Sequence, residues 1–196
     1  MAQTATPYGL RPVQLHGGLP FSGAIRSYPV TTGPASAIFF GDPVGLVGGQ
    51  IVPVTASPTV ALTASSPIGI FMGCEWQDPV RGFVNAQYCP ASLTTAGATK
   101  IKFKILDYIK IVMRVQASGP VLATAIGLNA PLIVGAGNTA TGDSTFTMGA
   151  AAATTGIALR IIGFPDVPGS APGDPFTDCL VMWNDGVHRL ENPLGQ

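Results

Sequence analysis

The stretch Lys100–Val115, which reads KIKFKILDYIKIVMRV, decides the fold. Seven of its eight odd-numbered positions are apolar, whereas its even-numbered positions hold all four lysines of the chain and Arg114. Successive side chains point to opposite faces of a β-strand, so this alternation predicts strands with one buried face. Asp107 interrupts the apolar face. We therefore predict two strands that are separated by a turn or bulge at Leu106–Tyr108.

Short runs of β-forming residues lie on both sides of this stretch, separated by turn sequences such as Gly41-Asp42-Pro43. The runs are Ile25–Val30, Ala37–Phe40, Val44–Val47, Ile51–Thr55, Ile68–Cys74, Phe83–Tyr88, Asn129–Ile133, Ile157–Phe164 and Cys179–Trp183. Apolar residues do not recur at helical spacing over three turns, and Ala150–Ala153 could form one helical turn. The pattern predicts a mainly β protein with little helix, folded as a single antiparallel β-sandwich or barrel domain. It leaves the strand order open.

An N-terminal segment rich in proline and glycine precedes these runs. Residues 1–22 contain three prolines and three glycines, and proline favours extended backbone both at its own position and at the one before it. We predict an extended arm over residues 1–22 and a β-rich domain with a short C-terminal tail over residues 23–196. Because the arm is partly apolar, we expect it to lie on a neighbour or on its own domain.

The composition excludes several classes of protein. The 196 residues include ten basic and ten acidic ones, so only 10% are charged, against about 25% in ordinary soluble domains. A hydrophobic content of 46% excludes a charge-rich disordered tail, and the zero net charge argues against a nucleic-acid binder that works by counterion release. So little charge favours association with other proteins.

Targeting signals and cysteines add further expectations. Gly, Pro, Ser and Thr break up the uncharged stretches, so we expect no transmembrane helix and no membrane partner. The first residues lack the regions of a signal peptide, which predicts synthesis in a cytoplasm. Cys74, Cys89 and Cys179 are odd in number and lack metal-site spacing, so we expect buried free thiols.

The sequence contains no convincing catalytic or metal-binding motif. Glu75, Asp78 and His188 are the residues that we would test first in a hydrolase. Asp174 and Asp178 are weak support for a calcium site, because calcium takes six to eight oxygen ligands. Residues 135–144 are glycine-rich but lack the lysine of a phosphate-binding loop, and they instead predict the tip of a hairpin. We predict a protein that is not an enzyme and that has no cofactor and no metal.

Several motifs occur in an order that resembles a known family. They are TPYGLRPV (Thr6–Val13), GDPV (Gly41–Val44), GIFMGCEW (Gly69–Trp76), QYCPA (Gln87–Ala91), NAPLIVGAGNTATGDS (Asn129–Ser144), RIIGFPD (Arg160–Asp166) and LVMWNDGVHRLEN (Leu180–Asn192). Together they resemble small virion proteins of tailed bacteriophages, which are known as capsid decoration, cement or head structural proteins. The stretch Lys100–Val115 departs from that resemblance.

The resemblance implies a structural protein on the outer surface of the virion head, made in the cytoplasm of a bacterial host. Its partner would be the major capsid protein lattice, and it would form a homotrimer, with a dimer as the other possibility. It would bind neither nucleic acid nor membrane. We expect the arm and the C-terminal tail to make the contacts. The candidate interface residues are Tyr8, Leu10, Arg11, Val13, Leu15, Phe21, Trp183, His188 and Leu190.

Two other classes of function stay open. One is a tail or neck protein, or an adhesin that binds host-surface glycans through exposed aromatic rings. For an adhesin, Trp76 and Trp183 would be the stacking residues, although both adjoin runs that predict core strands. The other is a hydrolase that uses the three residues named above.

Overall fold

The computed structural model describes residues 4–57, 66–91, 93–154, 156–184, 186–188 and 190. The protein is mainly β, as the sequence predicts: 45% of the described residues lie in strands or isolated β-bridges and 2% are helical. The strands are β1 (Arg11–Leu15), β2 (Ile25–Val30), β3 (Pro43–Val47), β4 (Gln50–Pro53), β5 (Pro67–Asp78), β6 (Gly82–Ala86), β7 (Thr99–Leu106), β8 (Ile111–Gln116), β9 (Asn129–Ala130), β10 (Leu132–Ile133), β11 (Thr147–Met148), β12 (Leu159–Gly163) and β13 (Asp178–Trp183). A 3-10 turn covers Ala123–Ala125.

The strands form two large antiparallel sheets and a small pair. The order in the five-stranded sheet is β1-β8-β13-β12-β9. The six-stranded sheet has the order β2-β7-β5-β3-β4, with β6 also paired to β5. β10 and β11 form a hairpin whose loop contains the predicted glycine-rich tip. The sheets pack against each other, which is consistent with a β-sandwich.

The stretch Lys100–Val115 forms two strands, as predicted, and these strands belong to different sheets. β7 lies in the six-stranded sheet and β8 in the five-stranded sheet, so the chain crosses from one to the other at Asp107. The Asp107 carboxylate accepts a hydrogen bond from the Tyr28 hydroxyl (2.7 Å) and lies 3.2 Å from the Arg26 Nε. A polar residue is therefore tolerated on the apolar face because it sits where the strand ends.

Two hydrophobic cores stabilise the sheets. The first combines the buried side chains of β8, β12 and β13 with Ile70 and Leu106, which belong to the six-stranded sheet. The second lies on β5 and β7, where Phe71 and Phe103 pack edge to face with ring centroids 5.6 Å apart. Burying each such side chain contributes about 1.5–3 kcal/mol. The apolar side chains of the one stretch Lys100–Val115 thus contribute to both cores.

The N-terminal segment lies on its own domain. β1 pairs antiparallel with β8 at the edge of the five-stranded sheet, and the Leu10 side chain is fully buried in the first core. Within residues 4–22 the segment is attached to the domain through β1 and Leu10. The reason is that Leu10 and the backbone groups of β1 find their partners within the same chain.

Three local predictions are wrong. Asn129–Ile133 is not one strand, because β9 pairs in the five-stranded sheet and β10 pairs with β11. Ala150–Ala153 does not form a helical turn, because Ala152 instead makes a β-bridge with Asn129 through two backbone hydrogen bonds. Ala37–Phe40 is not a continuous strand, since it makes only isolated bridges at Ile38 and Phe40. All three cysteines are free and buried, as expected. No helix in the described part of the chain is long and apolar enough to cross a membrane.

Candidate interaction surfaces

The predicted interface residues divide by exposure. Leu10, Trp183 and His188 are buried within the chain, so they cannot form an outer contact surface. Tyr8, Arg11, Leu15 and Phe21 are partly buried. Val13 and Leu190 are exposed, at 46% and 54% of their surface.

Tyr8 belongs to a paired polar cluster. Its hydroxyl donates a hydrogen bond to Asp178 Oδ1 (2.8 Å), and the guanidinium of Arg114 lies 5.1 Å from the centre of its ring. Burial and the nearby Asp178 carboxylate raise the pKa of Tyr8 well above its ordinary value, so the phenol stays protonated at neutral pH. The cluster fixes the N-terminal segment to β13 and β8.

Arg11 forms a second paired cluster. Its Nη2 lies 2.6 Å from Asp143 Oδ1, which also accepts a hydrogen bond from Gln87 Nε2 (2.7 Å). The guanidinium also lies 4.4 Å from the centre of the Phe40 ring. A groove of about 480 Å³ separates residues 6–8 from the loop at 138–145. Because the charges at this groove are paired with each other, the cluster holds the N-terminal segment against that loop.

Backbone hydrogen bonds join the same segments at one junction. Leu10 N–H donates to the Gly41 carbonyl (3.0 Å), Gly41 N–H donates to the Phe71 carbonyl (2.9 Å), and Ser144 N–H donates to the Phe40 carbonyl (3.0 Å). These bonds bring together four of the motifs quoted above, namely TPYGLRPV, GDPV, GIFMGCEW and the end of NAPLIVGAGNTATGDS. We call this region the junction. The residues that carry the resemblance therefore hold the fold together here.

Asp42 is a buried carboxylate within the junction. Its Oδ2 accepts a hydrogen bond from Phe39 N–H (2.8 Å), whereas its Oδ1 is buried with no hydrogen-bond partner among the described residues. Burial raises the pKa of Asp42 to about 6, and the hydrogen bonds from Ser144 and Phe39 offset part of that rise.

The N-terminal segment and the C-terminal tail, which were predicted to make the contacts, come close together at the end of β1 that is remote from the junction. His16 N–H donates to the Lys110 carbonyl (2.8 Å). Lys110 lines one cavity with Trp183 and an adjacent groove of about 350 Å³ with Leu190. The turn that follows β1, the turn at 107–110 and the end of β13 are thus neighbours. We call this region the converging end.

Apolar side chains are exposed at the converging end. Leu190 and Tyr108 line the groove, and both are largely solvent-accessible. Leu19 lies in the turn after β1, where its carbonyl accepts a hydrogen bond from Leu15 N–H (2.8 Å), and 60% of its surface is exposed. These side chains offer apolar area to another molecule.

The three hydrolase candidates have structural roles. The carboxylate of Glu75 lies 3.4 Å from Lys102 Nζ and 3.5 Å from Lys104 Nζ on the outer face of the six-stranded sheet. Asp78 Oδ1 accepts two backbone N–H groups of the turn that follows β5, and these bonds lower its pKa. His188 is buried, and its Nδ1 accepts a hydrogen bond from a backbone N–H (3.3 Å). Within the described residues there is no group of three or more potential metal ligands.

The pairings of Arg11 with Asp143 and of Arg160 with two asparagines were not predicted from the sequence. Arg160 Nε donates to Asn129 Oδ1 (3.0 Å) and its Nη2 donates to Asn184 Oδ1 (2.9 Å). All of these residues occur in the quoted motifs. Their presence in the quoted motifs was the one indication in the sequence that these residues matter. Sequence spacing alone does not show which of them pair, because they lie far apart in the chain.

Comparisons with known proteins identify no relative of this chain: no family model, curated protein or solved structure matches it significantly.

Proposed function

We propose that this protein is a structural component of a bacteriophage virion that binds the outer surface of the major capsid protein lattice and stabilises the head. The order of the quoted motifs suggests this function. The observation that carries it further is the converging end, where Tyr108 and Leu190 line one groove and Leu19 is exposed in the turn after β1. These side chains are the proposed contacts.

Binding of this kind needs no turnover. A protein that binds the assembled shell, and not its free subunits, stabilises the shell by mass action. Contacts that are weak in one copy become strong when copies are linked, because each further contact is then intramolecular. A homotrimer would suit such a lattice. Light scattering on the purified protein tests this, with an expected mass three times 20.0 kDa.

Cosedimentation with shells tests the proposed function. Wild-type protein and the variants Leu19→Ser and Leu190→Ser are mixed with shells that lack it, from the phage that encodes the chain. We expect each variant to bind about tenfold more weakly, as for a contact residue in an interface. Val80→Ser is the matched control, because Val80 is 90% exposed in the turn between β5 and β6.

Two outcomes would count against this proposal. If the wild-type protein does not sediment with shells, the proposed function is wrong. If all three variants bind equally well, the chain binds shells through a surface other than the converging end.

A role elsewhere in the virion is the second candidate. Immunogold labelling of virions separates a head protein from a tail or neck protein. For a glycan-binding adhesin the structure offers little support, since Trp76 and Trp183 are both buried in the cores and cannot stack on a sugar at the surface. Specific binding to a glycan array would nevertheless favour the adhesin.

A further inference from the structure

Two of the three cysteine side chains meet in the second core. Cys74 lies on β5, Cys89 follows β6, and both are fully buried. The Sγ of Cys74 lies 3.4 Å from the carbonyl oxygen of Tyr88, the residue that precedes Cys89. The two thiols are also in hydrogen-bonding contact with each other. Cys179 belongs to the first core instead.

The paired backbone on both sides holds the two sulfur atoms at this place. Cys74 lies opposite Ala86 in the pairing of β5 with β6, and Cys89 makes an isolated antiparallel bridge with Ile38. Cys89 N–H donates to the Ile38 carbonyl (2.7 Å), and Ile38 N–H donates to the Cys89 carbonyl (3.0 Å). Thiols that are already in contact need only a small side-chain rotation to reach the disulfide bond length of about 2.05 Å.

The acidity of the thiols does not single out this pair. The hydrogen bond with Cys74 and burial raise the pKa of the Cys89 thiol well above its ordinary value. Burial and the nearby Asp178 carboxylate raise the pKa of Cys179 as well, to about 12. Because the thiolate is the reactive form, a buried thiol reacts slowly unless the core opens. Contact between two thiols is therefore what distinguishes Cys74 and Cys89 from Cys179.

We propose that Cys74 and Cys89 form a reversible disulfide when the protein meets a small-molecule disulfide such as oxidised glutathione. One cysteine thiolate attacks oxidised glutathione, which forms a mixed disulfide and releases one glutathione thiol. The other thiolate then attacks the mixed disulfide and releases the second glutathione thiol. The two cysteines are oxidised, and their two electrons and two protons end on two molecules of reduced glutathione.

This site would respond to the redox state of the surroundings. Glutathione and thioredoxin keep thiols reduced in a cytoplasm, whereas disulfides persist in oxidising environments. In an oxidising environment the bond would tie β5 to the segment that bridges Ile38. This inference does not depend on the proposed virion function.

Equilibration of the intact protein with mixtures of reduced and oxidised glutathione tests the proposal. The mixtures are approached from reduced protein and from protein refolded with oxidised glutathione, so that slow exchange in the core does not affect the result. Free thiols are then alkylated, and mass spectrometry of non-reduced peptides gives the ratio of joined to free Cys74 and Cys89. We expect this ratio to be at least about tenfold higher in the folded protein than in urea, because the fold holds the two sulfur atoms in contact.

Cys179 supplies the matched control. Cys179→Ala removes a buried thiol from the other core, so we expect it to leave the ratio unchanged. We expect Cys89→Ala to form no disulfide within the chain. A ratio in folded wild-type protein that is no higher than in urea overturns the proposal, and so does linkage of Cys179 to Cys74 or Cys89 as often as the two join each other. Both of these outcomes are read from the wild-type chain, so they do not depend on whether a variant folds.

Discussion

At the scale of single residues, Asp42 makes stability depend on pH. Burial raises its pKa from 3.8 to about 6, so the folded protein binds a proton more tightly at this site than the unfolded chain does. The resulting stabilisation is full below about pH 4 and is lost as the pH rises through about 6. At about 1.4 kcal/mol per pKa unit, the contribution amounts to up to about 3 kcal/mol.

We therefore predict that Asp42→Asn reduces the loss of stability between acidic and neutral pH. Asparagine keeps an oxygen for the Phe39 N–H and carries no charge, so the variant should match or exceed the wild-type protein in stability at neutral pH. Urea unfolding across this pH range measures the effect. A variant with the wild-type pH profile would show that Asp42 is not the group that titrates.

Gly9 lies in the junction at a position where a residue with a side chain does not fit. Its φ is +74°, and a Cβ at this position would lie 2.3 Å from the Cβ of Ser144. Gly17 also has a positive φ, of +91°, but a Cβ there would meet nothing within 4 Å. Backbone strain alone costs about 1–2 kcal/mol for a residue with a side chain.

We predict that Gly9→Ala destabilises the protein by more than Gly17→Ala, with the difference due to the contact with Ser144. Gly17→Ala is the matched control for strain, and we expect it to cost about 1 kcal/mol. Differential scanning calorimetry of the two variants measures the difference. Equal losses would mean that the N-terminal segment moves away from the loop at no cost.

At the scale of elements, the sequence predicts strands better than it predicts their partners. The alternation in Lys100–Val115 predicts two strands and the break at Asp107, because alternation depends only on local geometry. The assignment of β7 and β8 to different sheets depends on contacts with distant strands. For the same reason residues 1–22 were predicted as extended, while the pairing of β1 with β8 could not be predicted.

The place of β1 leads to a prediction about truncation. Deletion of residues 1–20 removes the buried side chain of Leu10 and an edge strand of the five-stranded sheet. We expect a loss of about 3 kcal/mol or more, since removing most of a buried leucine alone costs about 2–5 kcal/mol. Urea unfolding of the truncated protein measures this loss.

Deletion of residues 1–3 is the control for this truncation, because it shortens the same end of the chain and keeps Leu10 and β1. If the chain without residues 1–20 unfolds at the same urea concentration as this control, β1 is dispensable for stability. In that case the N-terminal segment would behave as the separate arm that its composition predicts.

At the candidate interaction surface, too, the sequence predicts local properties of residues but not their contacts with distant parts of the chain. Leu190 and Val13 are exposed, as expected of contact residues, whereas Leu10, Trp183 and His188 are buried. Apolar character predicts that a side chain will be buried. It does not predict whether the side chain is buried within its own chain or in an interface with another molecule. The meeting of Lys110 and Trp183 at one cavity was not predicted, since the two residues lie far apart in the sequence.

At the scale of the whole molecule, the distribution of charge supports a role in assembly. Three of the described acidic groups, those of Asp107, Asp143 and Glu75, form ion pairs within the chain. The chain has only ten charges of each sign among its 196 residues, so it carries little charge that could oppose association. A surface with little charge repels other proteins only weakly. The exposed apolar side chains of the converging end can then determine where another molecule binds.

If the protein has a structural role on a shell, the stability of the shell should depend on the concentration of the protein in a predictable way. If the protein stabilises shells by occupying sites, the free energy of stabilisation follows RT ln(1 + [L]/Kd), which is about 2.7 kcal/mol per site at 100 Kd, and the disruption temperature of the shells rises with it. Calorimetry of shells at increasing protein concentration measures this. We expect Leu190→Ser to shift the curve to higher concentration and Val80→Ser to leave it unchanged.

The same curve separates a structural role from a catalytic one. An enzyme that modified the shell would act far below one copy per site, and its effect would persist after the protein is removed. A protein that acts by occupancy loses its effect on dilution, because bound copies dissociate as the free concentration falls. Full stabilisation at substoichiometric amounts, retained after washing, would therefore contradict the structural proposal and direct attention to Glu75, Asp78 and His188.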